Sequence, residues 1–226
     1  MLPYLTINTI AEILCFIIAV ICLAKDKSLA WRSMVLFLLI TCITELSGIY
    51  IRRLNIEDHT HLHRNEWLYN IFMIFQIYFM SYMFYHLLKQ YNNNTRLIIF
   101  SGAVLLIVLY IYEVYKHGVL EDHILTFTTM SVLFVLYGFY YFYYLHKDEN
   151  YLQLKTSPAF WWVSGTLFFY FGITACNLFF SKFSAIVIST KHSLTYYIFN
   201  VLNVILYSCW SYSFICRKWL KTNSKS

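Results

Sequence analysis

The sequence predicts an all-α, polytopic membrane protein: a single bundle of seven transmembrane helices. Three observations predict it. Hydrophobic residues make up 60% of the 226-residue chain and charged residues only 12%, about half the charged share of an ordinary soluble domain. Apolar runs of about 20 residues recur along the chain, the length at which a helix crosses a bilayer. Short polar stretches that carry most of the charges separate these runs. A bilayer offers the backbone no hydrogen-bonding partner, and the runs are too uniformly apolar for alternating barrel strands, so helices are the expected elements.

Taken in order, the spans are expected at 5–24, 33–51, 67–88, 97–115, 124–145, 158–180 and 194–216, with 221–226 as a short basic tail. Span one has no basic region before it and no small-residue cleavage pattern, so it is expected to be retained. Span two carries Glu45 and ends at Arg52 and Arg53. A polar hairpin with His59, His61 and His63 then leads to span three at Trp67. Span four follows the polar turn Asn92–Asn94. Span five ends in the aromatic run Tyr137–His146. That run, with Trp31, Tyr85, Trp161, Trp162 and Trp210, is expected at the membrane interface, because amphipathic rings favour the headgroup level. Pro158 falls at the start of span six, so no span is interrupted by proline. The tail after span seven is a basic anchor near anionic lipid. The six cysteines lie in or at the ends of apolar runs without CxxC spacing and read as small buried hydrophobes.

Lysine and arginine set the expected orientation. Eleven lie after spans one, three and five and in the tail, and six lie on the opposite side. The positive-inside rule therefore puts the N-terminus outside and the C-terminus in the cytoplasm of a bacterial inner membrane. The formal charge of +6 belongs to that loop bias, and nucleic acid is not an expected partner.

Ionisable groups inside spans point to function, since a charge at mid-bilayer costs about 2.5–3.5 kcal/mol on insertion scales. Glu12, Glu45 and Glu113 qualify, and span directions place all three in the outer half or at its edge. Asn70, Asn177, Asn200 and Asn203 follow the same pattern, with Gln76 nearer the middle. Helical spacing aligns Tyr196, Asn200, Asn203, Tyr207 and Ser211 on one face, and Thr41, Glu45, Gly48 and Arg52 on another. Asn70 and Gln76, about 120° apart at ~100° per residue, are not expected on one stripe. The expected ligand-binding set is Glu12, Glu45, Gln76, Asn177, Asn200 and Asn203, the walls of a polar funnel open to the outside. The competing reading of the amides is interhelical packing alone.

The outer loops carry most of the histidines. His59, His61 and His63 alternate, so they share one side of a strand, or His59 and His63 share a helical face; either arrangement suits zinc or copper. Outer-loop histidines such as His117 and His123 are otherwise expected to be solvated or proton-sensing. No deep lysine offers a retinal attachment point, and no late HxxxH pair, GxSxG, HExxH or P-loop is present.

The segments NEWLYNIFMIFQ (65–76), PAFWWVSGTLFFYFG (158–172) and YYIFNVLNVILYSCW (196–210) carry a resemblance. With them the chain resembles a family of small bacterial seven-helix integral membrane proteins and is similar to the membrane sensor regions of some histidine kinases. The resemblance implies a sensor and supplies no catalytic residues. The expected function is a non-enzymatic sensor or binding module for a small amphipathic ligand or protons, signalling through a partner protein. The alternatives are a lipid-modifying enzyme using Glu12 and Glu45 as paired glutamates, a proton-coupled small transporter, and a purely structural subunit.

Overall fold

A computed structural model describes residues 6–58, 65–92, 94–147, 154–179, 183, 186–189 and 192–223, with backbone alone at 55–58, 187–189, 192–193 and 221–223. Among these residues there are seven long helices: α1 (Ile7–Leu23), α2 (Leu29–Asp58), α3 (Glu66–Leu88), α4 (Thr95–His117), α5 (Ile124–Lys147), α6 (Pro158–Leu178) and α7 (Leu194–Asn223). A single 3-10 turn, Leu154–Thr156, precedes α6. A short antiparallel ribbon of β1 (Val187–Ser189) and β2 (His192–Ser193) lies in the α6–α7 connection. Among the described residues, the expected all-helical architecture gains only this ribbon. Six of the helices are long and apolar enough to cross a membrane; α1, with 17 residues, is shorter.

Local chemistry explains most helix ends. Thr6 caps α1 by accepting from the Thr9 amide at 3.2 Å. Ser157 caps α6 by accepting from the Phe160 amide at 3.4 Å, and Pro158 supplies the preset φ of the first helical position. Gly118 ends α4 with φ 84°, a conformation that favours glycine. Two helices outrun the apolar pattern. α2 continues to Asp58 and α7 to Asn223, so Arg52, Arg53 and Arg217 sit on helices rather than in loops. A polar helical extension satisfies its backbone internally, so loss of hydrophobicity does not by itself end a helix.

Each helix packs on the next in chain order, and α7 returns against α1 to close the bundle. α3 additionally packs on α5 and is the most buried of the spanning helices, while α4 is the least. Aromatic pairs fill the centre. Phe37 stacks on Phe79 at 4.3 Å, Phe84 meets Trp162 edge-on at 5.3 Å, and Trp162 lies parallel to Trp210 at 5.8 Å. α6 and α7 approach closely at Gly165, where a Cβ would fall 2.6 Å from the Cys209 Cβ.

The interfacial-belt expectation needs correction for several of these rings. Trp31, Trp162, Trp210, Tyr137 and Tyr141 are buried in the bundle. Inside it, the Trp210 indole N–H finds the Thr166 hydroxyl at 3.1 Å. A satisfied N–H removes the main reason for a tryptophan to stay at the headgroup level. Tyr140 and Tyr144 are recruited differently. Both accept from the Asn92 amide, at 2.7 and 2.9 Å, fixing the α3–α4 turn. Tyr143 remains outward-facing.

An ion pair ties the bundle end formed by the α1–α2 turn and the C-terminal part of α7. Arg217 Nε lies 3.2 Å from Asp26 Oδ2, and its guanidinium sits 5.5 Å above the Trp31 ring. Asp26 is buried and also accepts from the Ser28 amide at 2.7 Å.

Candidate functional site

Towards the opposite end of the bundle, a cavity of about 620 Å³ opens between α3, α5 and α6. That volume falls within the roughly 300–1,000 Å³ of small-molecule sites. The α3 wall is Tyr69, Phe72, Met73 and Gln76, an i, i+3, i+4, i+7 stripe, with Asn70 on its flank. The start of α5 contributes Ile124 and Phe127 after Asp122 and His123, and α6 contributes Asn177. The walls are mainly apolar, with polar groups at a few places.

Asn70 and Gln76 both line this cavity, although their angular separation keeps them off a single stripe. The cavity wraps round more than one stripe of α3, so groups well apart on the helix both reach it.

The polar groups of the wall are held by protein partners. Asn70 Nδ2 donates to the Val119 and Glu121 carbonyls, each at 2.8 Å, and so pins the α4–α5 connection to α3. His123 is buried, not solvated as its loop position suggests. Its Nε2 lies 3.1 Å from the Gly118 carbonyl, and its ring meets Tyr110 edge-on at 5.0 Å. Gln76 Nε2 donates to the Tyr170 hydroxyl at 2.6 Å, and Asn177 Nδ2 to the Thr128 hydroxyl at 3.3 Å.

Glu113, one of the three carboxylates singled out from the sequence, acts as a structural cap here. Its two oxygens accept from the Leu125 and Thr126 amides at 3.0 and 2.8 Å, capping α5 from the neighbouring helix. A carboxylate on the exposed N–H groups of a helix start also complements the helix dipole.

Of the six expected site residues, Gln76 and Asn177 line the cavity. Glu12 and Glu45 form a second cluster on α1 and α2, close enough to interact electrostatically, with Cys42 and Tyr207 beside the Glu12 carboxyl. Glu12 is buried, and its Oε1 has no hydrogen-bond partner among the described residues. Glu45 accepts from the Tyr69 hydroxyl at 3.3 Å. Tyr69 thus belongs to both places, a cavity wall on one side and a partner of the acid cluster on the other. Asn200 is buried on α7 with its Oδ1 unpartnered among the described residues, and Asn203 donates to the Phe199 carbonyl of its own helix at 3.0 Å. Neither lines the cavity.

Tyr69, Asp122, His123 and Phe127 were not among the expected site residues. The sequence signal for the first is the stripe it makes with Phe72, Met73 and Gln76; Asp122 and His123 arrive through the fold of the α4–α5 connection, and Phe127 from the first turn of α5. His59, His61 and His63, expected to hold zinc or copper, lie outside the described residues. Among the described residues no group of three or more His, Cys, Asp or Glu is placed to hold a metal ion. Comparison with protein-family models, curated proteins and solved structures finds no match.

Proposed function

We propose that the chain is a non-enzymatic membrane sensor or binding module that takes a small amphipathic ligand into the cavity between α3, α5 and α6. The observation that carries this reading is the cavity itself: about 620 Å³, apolar over most of its wall, with Gln76 and Asn177 fixed on it by protein hydrogen bonds. Such a wall suits an apolar body with one polar head, because sparse polar groups orient a ligand that hydrophobic burial retains. Seven spans, an outer N-terminus and a cytoplasmic C-terminus in a bacterial inner membrane are part of the same proposal. They rest on the distribution of lysine and arginine, and the cavity then faces the outer side. Output passes to a partner protein, as the resemblance to kinase sensor regions implies.

Enlarging Phe127 to tryptophan fills the cavity from a half-buried position. Native mass spectrometry of the purified protein is expected to detect a bound amphiphile, and Phe127→Trp to lose it while the bundle stays folded. Equal occupancy in the variant would sink the proposal.

The adjacency of Glu12 and Glu45 supports a second reading, proton-coupled carriage. It requires pH-dependent flux in proteoliposomes that Glu12→Gln abolishes. Flux that does not respond to pH would remove it.

A further inference from the structure

We infer that the ligand of this cavity is a cationic amphiphile, an apolar body ending in a protonated amine. The inference rests on the cavity reading above and names the chemistry of its head group. It follows from the hydrogen-bond accounting of the wall, in which the groups fixed by protein partners have already spent most of their hydrogens.

Two assignments are forced, because a backbone carbonyl only accepts. Asn70 gives both amide hydrogens to the Val119 and Glu121 carbonyls, leaving Oδ1 as its remaining group. His123 must carry its hydrogen on Nε2 to bond the Gly118 carbonyl. In the neutral ring Nδ1 is then a lone-pair acceptor, buried and without a partner among the described residues. Tyr69 donates its hydroxyl hydrogen to Glu45, so its oxygen also remains as an acceptor. Gln76 and Asn177 each use one amide hydrogen on a hydroxyl oxygen and keep a carbonyl together with one N–H. Asp122 adds a carboxylate. Among the described residues, none of those lining the cavity is Lys or Arg.

A primary ammonium is the complement of this wall, with three donors and no acceptor. A carboxylate or phosphate head would face mainly acceptors, the Asp122 carboxylate among them, with only the second amide hydrogens of Gln76 and Asn177 to replace its hydration. The rings of Tyr69, Phe72 and Phe127 offer π-faces of the kind that attract cations. The approach carries the same sign. A second depression of about 670 Å³ shares Asp122 and Ile124 with the cavity and is lined further by Glu113, Glu121 and His117. Lys116, the cation nearest in sequence, lies instead over the Tyr112 ring at 5.9 Å. Acid-lined ground beside an apolar cavity concentrates cations at its mouth.

The test compares a dansyl-tagged long-chain primary amine with the dansyl-tagged fatty acid of the same chain length. The full-length protein is held in phosphatidylcholine nanodiscs, and binding is read by energy transfer from its tryptophans after subtraction of empty discs. The amine is expected to bind at least about tenfold more tightly than the acid. Asp122→Asn should erase most of that preference and Asp122→Lys should invert it. Asp122 is exposed, so neither change threatens the fold. Phe127→Trp, with Ile124→Trp as a second blocking variant at an exposed position of the same wall, should remove binding of both probes. Equal binding of the two probes, or a preference that Asp122→Asn leaves intact, overturns the cationic assignment while the cavity reading stands. Binding of neither probe above empty discs, or binding that both blocking variants leave unchanged, overturns the cavity reading and this inference with it.

Discussion

At Gly48 the α2 backbone lies against the ring of Tyr69, and a Cβ there would meet the tyrosine hydroxyl. The same hydroxyl donates to Glu45, and the Gly48 carbonyl accepts from Asn65 at 3.3 Å. A missing side chain on one helix thereby sets the position of a ring that serves both the acid cluster and the cavity. Gly48→Ala is expected to push Tyr69 aside and destabilise the bundle by about 1–3 kcal/mol, the usual cost of overpacking. Because the hydroxyl is the nearest obstructing atom, with ring carbon Cζ behind it at 2.9 Å, Tyr69→Phe should recover part of that loss in the double variant. Thermal unfolding in detergent of the two single variants and the pair forms a double-mutant cycle. Strict additivity would show that the clash is not what Gly48 avoids.

At the scale of the element, α5 depends on a group from outside itself. Its first turn carries no acidic residue, and the orphan amides of Leu125 and Thr126 are met by Glu113 from α4. Glu113→Ala should free those amides at a cost of about 0.5–2 kcal/mol, as for a lost N-cap. Amide hydrogen exchange is the direct reading: Leu125 and Thr126 should lose protection while mid-helix amides of α5 keep theirs. Unchanged protection at both would mean that the cap has no thermodynamic weight. A carboxylate near a span end looks functional in a sequence because its partner lies 12 and 13 residues away, across a turn whose path the sequence does not reveal. The helices themselves were legible because their apolar runs are set by bilayer thickness. Their overhangs at α2 and α7 were not, since polar helix and polar loop share one composition there. Trp210 likewise reads as interfacial until Thr166 supplies an internal partner.

At the scale of the whole molecule, closure of the bundle brings α7 back to α1, and the Asp26–Arg217 pair fastens one end of that seam. Arg217→Ala leaves a buried carboxylate with less compensation. Because the arginine is partly exposed, the loss should be about 1–3 kcal/mol, below that of a fully buried pair. It should appear as a lower unfolding temperature, largely insensitive to Gly48→Ala at the distant α2–α3 seam; strong coupling between the two would contradict independent ends. The candidate site was only half legible for a related reason. Gln76 carries a mid-span amide that any reading of the sequence marks, whereas Asp122 and His123 reach the cavity through Asn70 and the Gly118 turn, contacts between segments far apart in the chain. Orientation is the remaining large-scale property, and it decides from which side a ligand enters. With the N-terminus outside, Leu120, exposed beside Asp122, faces the outer aqueous phase, and Leu154, exposed before α6, faces the cytoplasm. In intact cells a membrane-impermeant maleimide should label Leu120→Cys and spare Leu154→Cys until the membrane is opened, with the unsubstituted protein as the control for its own six cysteines. The reverse pattern would turn the bundle over and deliver the cavity's ligand from the cytoplasm. Labelling of both in intact cells would refute an odd number of crossings between them, and with it the assignment of α5 as a span.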